Sequence, residues 1–203
     1  MRVWDVSPGY LNRQSLLGEH REIHGMISII SNHKQGYSHH PETVRLKSHL
    51  WALRRRHDWL VSEMELRGYN HLTPTPHSGV PGVWPPDFVD APRRQFAILK
   101  RKYADKEPGR IPLPRSAREL RSQHEHSVLA REGRAGDIGS LVALLRRPPT
   151  ARGLKKALAR MWEEAFGGPA PARSPRKLYP PLREQGAEAL SHSVALSELG
   201  LWI

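Results

Sequence analysis

The chain has 203 residues, a formal net charge of +12 and no cysteine, which excludes disulfides, thiolate metal centres and cysteine nucleophiles. No apolar run reaches the ~20 residues of a membrane span, and no signal-peptide pattern is visible. The expectation is therefore a soluble, monomeric, cytoplasmic protein, nucleoid-associated and not secreted, whose basic excess favours nucleic acid over membrane as partner.

The charge is unevenly placed. Residues 1–77 carry ten Lys/Arg against seven Asp/Glu, whereas residues 92–203 carry twenty-two against eleven. A nearly balanced front half followed by a basic remainder suits a small reactive centre backed by a phosphate-gripping surface.

In chain order, Val3–Ser7 reads as a short extended arm, and Ser7-Pro8-Gly9 as a turn. Asn12 or Ser15 can cap the helix that follows. Its apolar positions Leu16, Leu17, Ile23, Ile27 and Ile30 recur at helical spacing and define a core stripe. Arg21 and Glu22 lie beside that stripe, where a helix presents its polar side. Two groups in this stretch carry chemistry. The first is the α-amine of Met1. A terminal amine has a pKa near 7.7–8.0 against about 10.4 for lysine, so roughly a quarter is neutral near pH 7.4. It is a usable imine-forming nucleophile without deep burial. Arg2 favours retention of Met1, because methionine aminopeptidases remove Met before small residues. The second group is the carboxylate of Glu22.

The same helix contains His20-Arg21-Glu22-Ile23-His24. Histidines four apart share a face, but the zincin pattern needs glutamate directly after the first histidine. Here it comes one position later, roughly 200° around the helix from His20. No metal site and no organic cofactor are expected.

Residues 32–40 form a polar loop ahead of Pro41, which suits a first helical position. Lys34, Tyr37, His39 and His40 are candidate nucleic-acid contacts, with Tyr37 able to stack on a base. A helix is expected from Pro41 to Arg67, interrupted near Ser48, with Leu46, Leu50, Leu53, His57, Leu60 and Met64 inward and Gly68 as its stop. At most two of Arg54, Arg55 and Arg56 can face the same phosphates, leaving the rest solvated. Residues 71–92 read as a Pro/Gly-rich connector pinned by Trp84 and Phe88. A helix then runs to Tyr103 with Phe96, Leu99 and Tyr103 inward, its other side carrying Arg93, Arg94, Lys100, Arg101 and Lys102. Another follows from Ser116 to Ala130, where Arg115, Arg118 and Arg121 at its start extend the positive surface. Beyond Gly133, residues 141–145 and 154–166 are short helices. Residues 167–182 read by composition as an extended or disordered linker, and the last fourteen residues as an apolar tail, docked or loose.

The opening residues resemble the pyrimidine-dimer DNA glycosylases of phage type, also called endonuclease V, which have bacterial members. Aligned without a gap, Met1 falls on that family's nucleophilic N-terminal residue. Arg2, Gln14, Arg21 and Glu22 fall on its site positions, and Leu16 and Glu19 match within QSLLGEHRE. The likeness is strongest over residues 1–30, looser over 36–70, where GYSHHPE and LVSEMELRGYNH resemble bacterial members, and extends over 92–131. Gly25 stands where the phage enzyme carries a DNA-contacting arginine.

The resemblance implies an all-α helical bundle over residues 1–132 with an N-terminal arm; residues 133–203 depart from the family as a basic extension that composition reads as partly disordered. It implies a DNA repair enzyme excising ultraviolet-induced cyclobutane pyrimidine dimers, with glycosylase and abasic-site lyase steps at one centre. By the resemblance Met1 and Glu22 would be catalytic, and Arg2, Gln14 and Arg21 would bind double-stranded DNA containing dimers or abasic sites; Lys34, Tyr37, His39 and His40 join these contacts from the reading of the 32–40 loop. The alternatives are a non-enzymatic basic DNA-binding protein that keeps the fold, and an abasic-site lyase without dimer preference.

Overall fold

The computed structural model describes residues 2–75 and 81–203. Among the described residues all regular structure is helical and no strand occurs, so the chain is all-α as expected. No described helix is long and apolar enough to cross a membrane. The chain divides into two compact units, 1–107 and 108–203. The division expected at 132/133 instead falls inside the second unit, because the helix ending at Ala130 packs on one that begins at Ala151.

The first unit opens with an arm over residues 2–7 and a 3₁₀ turn, Pro8–Tyr10. Then come α1 (Arg13–Ser31), α2 (Pro41–Leu46), α3 (Leu50–Leu66) and α4 (Pro92–Lys102). Asn12 caps α1, its side chain accepting from the Ser15 amide at 3.0 Å. Pro41 starts α2, whose short run ends before a break over 47–49, and Gly68 follows α3 with φ of +78°. A left-handed residue suits glycine because it has no Cβ to clash. α1 packs on α3, burying Leu16, Ile23, Met26 and Ile27 against Leu53, Leu60 and Met64. Val3, Trp4, Val6, Tyr10 and Leu11 are also buried, so the arm belongs to the core. Within the connector, Trp84 meets Trp51 edge-on at 6.0 Å between ring centres, the pinning contact expected of it.

The second unit contains α5 (Ala117–Ala130), α6 (Ile138–Leu145), α7 (Ala151–Phe166), α8 (Pro175–Glu184), α9 (Ala195–Glu198) and a final 3₁₀ turn, Leu199–Trp202. α5 packs chiefly on α7, and α7 on α8. Gly153 permits the first contact, since a Cβ there would lie 2.3 Å from the Ala130 carbonyl oxygen. The Pro-rich stretch expected to be a disordered linker is in part helix. Pro175 occupies the first turn, where its missing N–H costs nothing. Leu178, Tyr179 and Leu182 supply a buried stripe that outweighs the prolines within the helix. The apolar tail is docked: Val194, Ala195, Leu196 and Leu199 are buried, and the Tyr179 hydroxyl donates to the Leu196 carbonyl at 2.7 Å. Arg131 anchors this end through Glu198, with further bonds to the Ser127 and Leu145 carbonyls at 3.0 and 3.2 Å.

Candidate active site

A buried arm with no sheet partner still has backbone donors and acceptors to satisfy. Side chains of α1, α3 and α4 supply what a neighbouring strand would. The Trp4 amide donates to Glu19 at 2.9 Å, and the Asp5 amide to Gln95 Oε1 at 2.8 Å. Arg56 donates to the Val6 carbonyl at 2.8 Å, and Arg67 to the Leu11, Pro8 and Gly9 carbonyls at 2.8–3.3 Å. The Asp5 carboxylate takes the Gln95 amide at 2.8 Å and Arg45 at 3.1 Å.

The last bond of this series reaches the proposed chemistry: the Arg2 backbone amide donates to Glu22 Oε2. Residues 2 and 4 alternate along the extended arm, while Glu19 and Glu22 are one turn apart on α1. Two carboxylates of one helix thus take two alternate amides of the arm. The arm runs antiparallel to α1, and its start is directed toward Glu22. Met1 itself lies outside the described residues.

At about 100° per residue, α1 has four distinct sides. Leu16, Ile23, Met26 and Ile27 face the core. Gln14, Gly18, Arg21 and Gly25, spaced four, three and four apart, share the opposite side. Gln14, Arg21 and Gly25 are exposed. A Cβ at Gly18 or Gly25 would meet nothing within 4 Å, so nothing in the unit itself requires glycine at either position. Glu22 and Ser15 mark one boundary between these sides, and His20 and His24 the other.

Lys102 joins the Glu22 boundary from α4, its Nζ donating to Ser15 Oγ at 2.9 Å. Partial burial pushes the Lys102 amine below the usual lysine range; Lys106 and Arg2 push the same way and Glu22 opposes them. In the sequence Lys102 is one cation in a basic run, and nothing in the run distinguishes the residue that faces Glu22.

The remaining site candidates are dispersed. The Arg2 guanidinium pairs with Asp90 at 2.5 Å and lies over the Trp4 ring. Asp90 also holds Arg94 at 2.8 Å. Arg21 is exposed, its Nε donating to the Leu17 carbonyl at 3.3 Å. Lys34, Tyr37 and His39 lie beyond the end of α1, whose last nine residues after Glu22 span about 14 Å. Lys34 donates to Ser28 Oγ at 2.9 Å, and with His39 it lines a surface hollow of about 320 Å³ that also includes Ile29, Ile30 and Lys47. Tyr37 is 67% exposed. His40 caps α2, its Nδ1 accepting from the Glu42 amide at 3.2 Å.

Of the three consecutive arginines, Arg56 is not solvated. It is buried in a two-pronged pair with Glu19, at 2.8 Å from Nε and 2.9 Å from Nη2. The spacing contains the signal: Arg56 follows Leu53 by three and precedes Leu60 by four, as Glu19 follows Leu16 and precedes Ile23. Both charges occupy positions of their helices' apolar stripes and meet between them.

At the other boundary of α1, His20 and His24 are joined by His57 of α3 and His71 of the connector. One ring nitrogen from each of the four lies within 4.8 Å of all the others. The expectation of no metal rested on the helix pair alone. His57 had a place in the α3 core repeat and His71 in a loop, so no local spacing links them to α1.

Comparison with curated proteins and with solved structures returns no match. A family model does match, described as pyrimidine dimer DNA glycosylase, over residues 1–76. The arm, Glu22 and all four histidines fall inside that segment, whereas α4 and the second unit lie outside it. Residues 1–76 thus match the pyrimidine dimer DNA glycosylase family, the one that the opening residues resemble.

Proposed function

We propose that the protein is a DNA repair glycosylase for cyclobutane pyrimidine dimers, with a coupled abasic-site lyase step, acting through the α-amine of Met1. The observation that carries this reading is the Arg2 amide bond to Glu22, within a segment that matches the family. Chain connectivity leaves the amine of a mature Met1 one residue from that carboxylate.

The neutral amine attacks C1′ of the 5′ nucleotide of the dimer. The glycosidic bond breaks with its electron pair going to the base nitrogen, which takes up a proton, while the amine loses one. Ring opening yields an imine with the sugar. Glu22, ionised, stabilises the cationic sugar-like transition state. It then assists removal of a C2′ proton, and the C3′–O bond breaks with the 3′ phosphate as leaving group. Hydrolysis of the imine frees the amine.

Arg2 and Arg21 hold phosphates in this proposal, Arg2 by exchanging Asp90 for a phosphate oxygen. Gln14 contacts the damaged bases or the backbone from the exposed side of α1. Gly18 and Gly25 leave that side open to close approach. Damage is selected partly because a distorted duplex costs less to bend and unstack.

The test is borohydride trapping of untagged protein, its N-terminus established by intact mass, on duplexes carrying one thymine dimer, one abasic site or no lesion. A covalent adduct on the dimer duplex, lost on acetylation of the N-terminus, is the expected result. An adduct on abasic DNA alone would reassign the substrate. Binding without any adduct would support the non-enzymatic reading, for which Gly25, in place of a DNA-contacting arginine, and the C-terminal extension leave room.

A further inference from the structure

We infer that His20, His24, His57 and His71 form a tetrahedral site for a divalent transition metal of the zinc class, which fastens α1, α3 and the connector together on the side of α1 away from Glu22. This goes beyond the imine chemistry, which needs no metal, and stands independently of it.

The nitrogen spacings carry the argument. His24 Nε2 lies 3.3 Å from His20 Nε2 and 3.1 Å from His57 Nε2. It is also 3.3 Å from Thr73 Oγ1, which is 3.3 Å from His71 Nε2. One ring nitrogen offers a single proton or a single lone pair, so His24 Nε2 cannot satisfy three neighbours by hydrogen bonding. Lone pairs converging on one cation resolve that crowding. With metal–nitrogen bonds of about 2.0–2.1 Å, a tetrahedron has nitrogen–nitrogen edges of about 3.3 Å. Two edges are already near that length. The widest separation, 4.8 Å, needs a contraction of about 1.5 Å, within reach of ring rotation by the half-exposed His24 and His71.

The surroundings suit ligation as well. A metal-bound imidazole usually donates its second ring N–H to an oxygen, which sets the tautomer. His57 Nδ1 has two such oxygens, Thr75 Oγ1 and Asp58 Oδ1, each at 3.4 Å. This leaves Nε2 as the lone-pair nitrogen pointing at His24. Burial, reinforced by neighbouring histidines, pushes His20 down to about 4 and His24 and His71 below the usual range. An all-imidazole, four-coordinate set suits zinc, and accepts cobalt or nickel as substitutes. Four protein ligands leave no open position, which marks a structural rather than a catalytic site.

The experiment uses the full chain without a histidine tag. Apo-protein is prepared with a chelator, titrated with Zn²⁺, and its bound metal measured after gel filtration. A parallel titration with Co²⁺ reads the intense visible absorption of tetrahedral cobalt. The expected result is one equivalent of either metal per chain. His71→Gln and His57→Gln should each lose stoichiometric binding and the cobalt band. His33→Gln, whose ring is exposed outside the cluster, should keep both. Because His57 is buried, Asp58→Asn serves as a milder variant; with all four ligands present, it should weaken affinity about 10- to 100-fold. Circular dichroism of each variant reports whether it is folded. Failure of the wild-type chain to take up an equivalent of either metal overturns the site. A cobalt spectrum unchanged in folded His71→Gln overturns the four-ligand assignment.

Discussion

At the scale of single residues, Glu22 and Gly25 offer separate tests of the proposed chemistry and of the proposed DNA contact. Glu22 is half-buried and takes the Arg2 amide. Glu22→Gln keeps an acceptor for that amide but removes the charge that the proposed transition state needs. Dimer cleavage by this variant should fall about 10²- to 10⁴-fold, while affinity for a dimer duplex in gel-shift titration stays within a few-fold. An equally active variant would remove Glu22 from the mechanism. Gly25 has open space where a Cβ would stand, so Gly25→Arg should be accommodated without repacking. It should add one phosphate contact, steepening the salt dependence of DNA affinity by about one in log–log slope. An unchanged slope would mean that this side of α1 does not face DNA.

At the scale of elements, the arm and α1 depend on a charge pair that interrupts two apolar stripes. Burial pushes the Glu19 carboxyl up, and Arg56 is the main influence opposing it. Arg56→Met should therefore destabilise the first unit by about 3–5 kcal/mol, because it strands a buried carboxylate. Adding Glu19→Leu should recover much of that loss; both are read from urea midpoints. Helices were legible here where a cap, an apolar stripe and a stop agreed, as with Asn12, the Leu16–Ile27 stripe and Gly68 after α3. The α8 segment was misread because proline content outweighed a stripe of three residues, Leu178, Tyr179 and Leu182. The site was legible only as far as one stretch of chain reached. The link from the arm to Glu22 lies within the first 22 residues, whereas Lys102 and the histidine cluster depend on contacts across 14 to 87 positions. No periodicity spans such distances.

At the scale of the whole molecule, the two units divide the basic residues equally, sixteen Lys/Arg in each, while every proposed reacting group lies in the first. A chain ending at Glu107 should fold cooperatively and retain dimer-dependent trapping. Its DNA affinity should be weaker and less salt-sensitive than that of the full chain if the second unit contributes phosphate contacts. The second unit has its own acid sensitivity. Burial pushes fully enclosed His124 down to about 3. The folded state thus keeps this ring neutral where the unfolded chain, with a pKa near 6.5, binds a proton. Its contribution is complete above about pH 6.5 and is lost as pH falls toward 3, by about 3–5 kcal/mol in total. His124→Gln should flatten the acid side of the stability profile in urea melts at stepped pH. A profile as steep as that of the wild type would assign the sensitivity to other groups.

The amide-by-amide anchoring of the arm also sets a tolerance on chain length. Side chains from three helices hold residues 2, 4, 5 and 6 by their backbones, so the arm cannot slide to take up an added or missing residue. One residue placed ahead of Met1 still ends in a primary amine of similar basicity, yet moves the nitrogen about 3.3 Å along an extended chain. Removal of Met1 does the reverse, turning the Arg2 nitrogen that already meets Glu22 into the terminus. Both products are chemically competent amines displaced from the position that the proposed mechanism requires. If the proposed amine chemistry holds, N-terminal processing by the expression host should act as a switch on activity, and intact mass distinguishes an inactive preparation from an inactive enzyme.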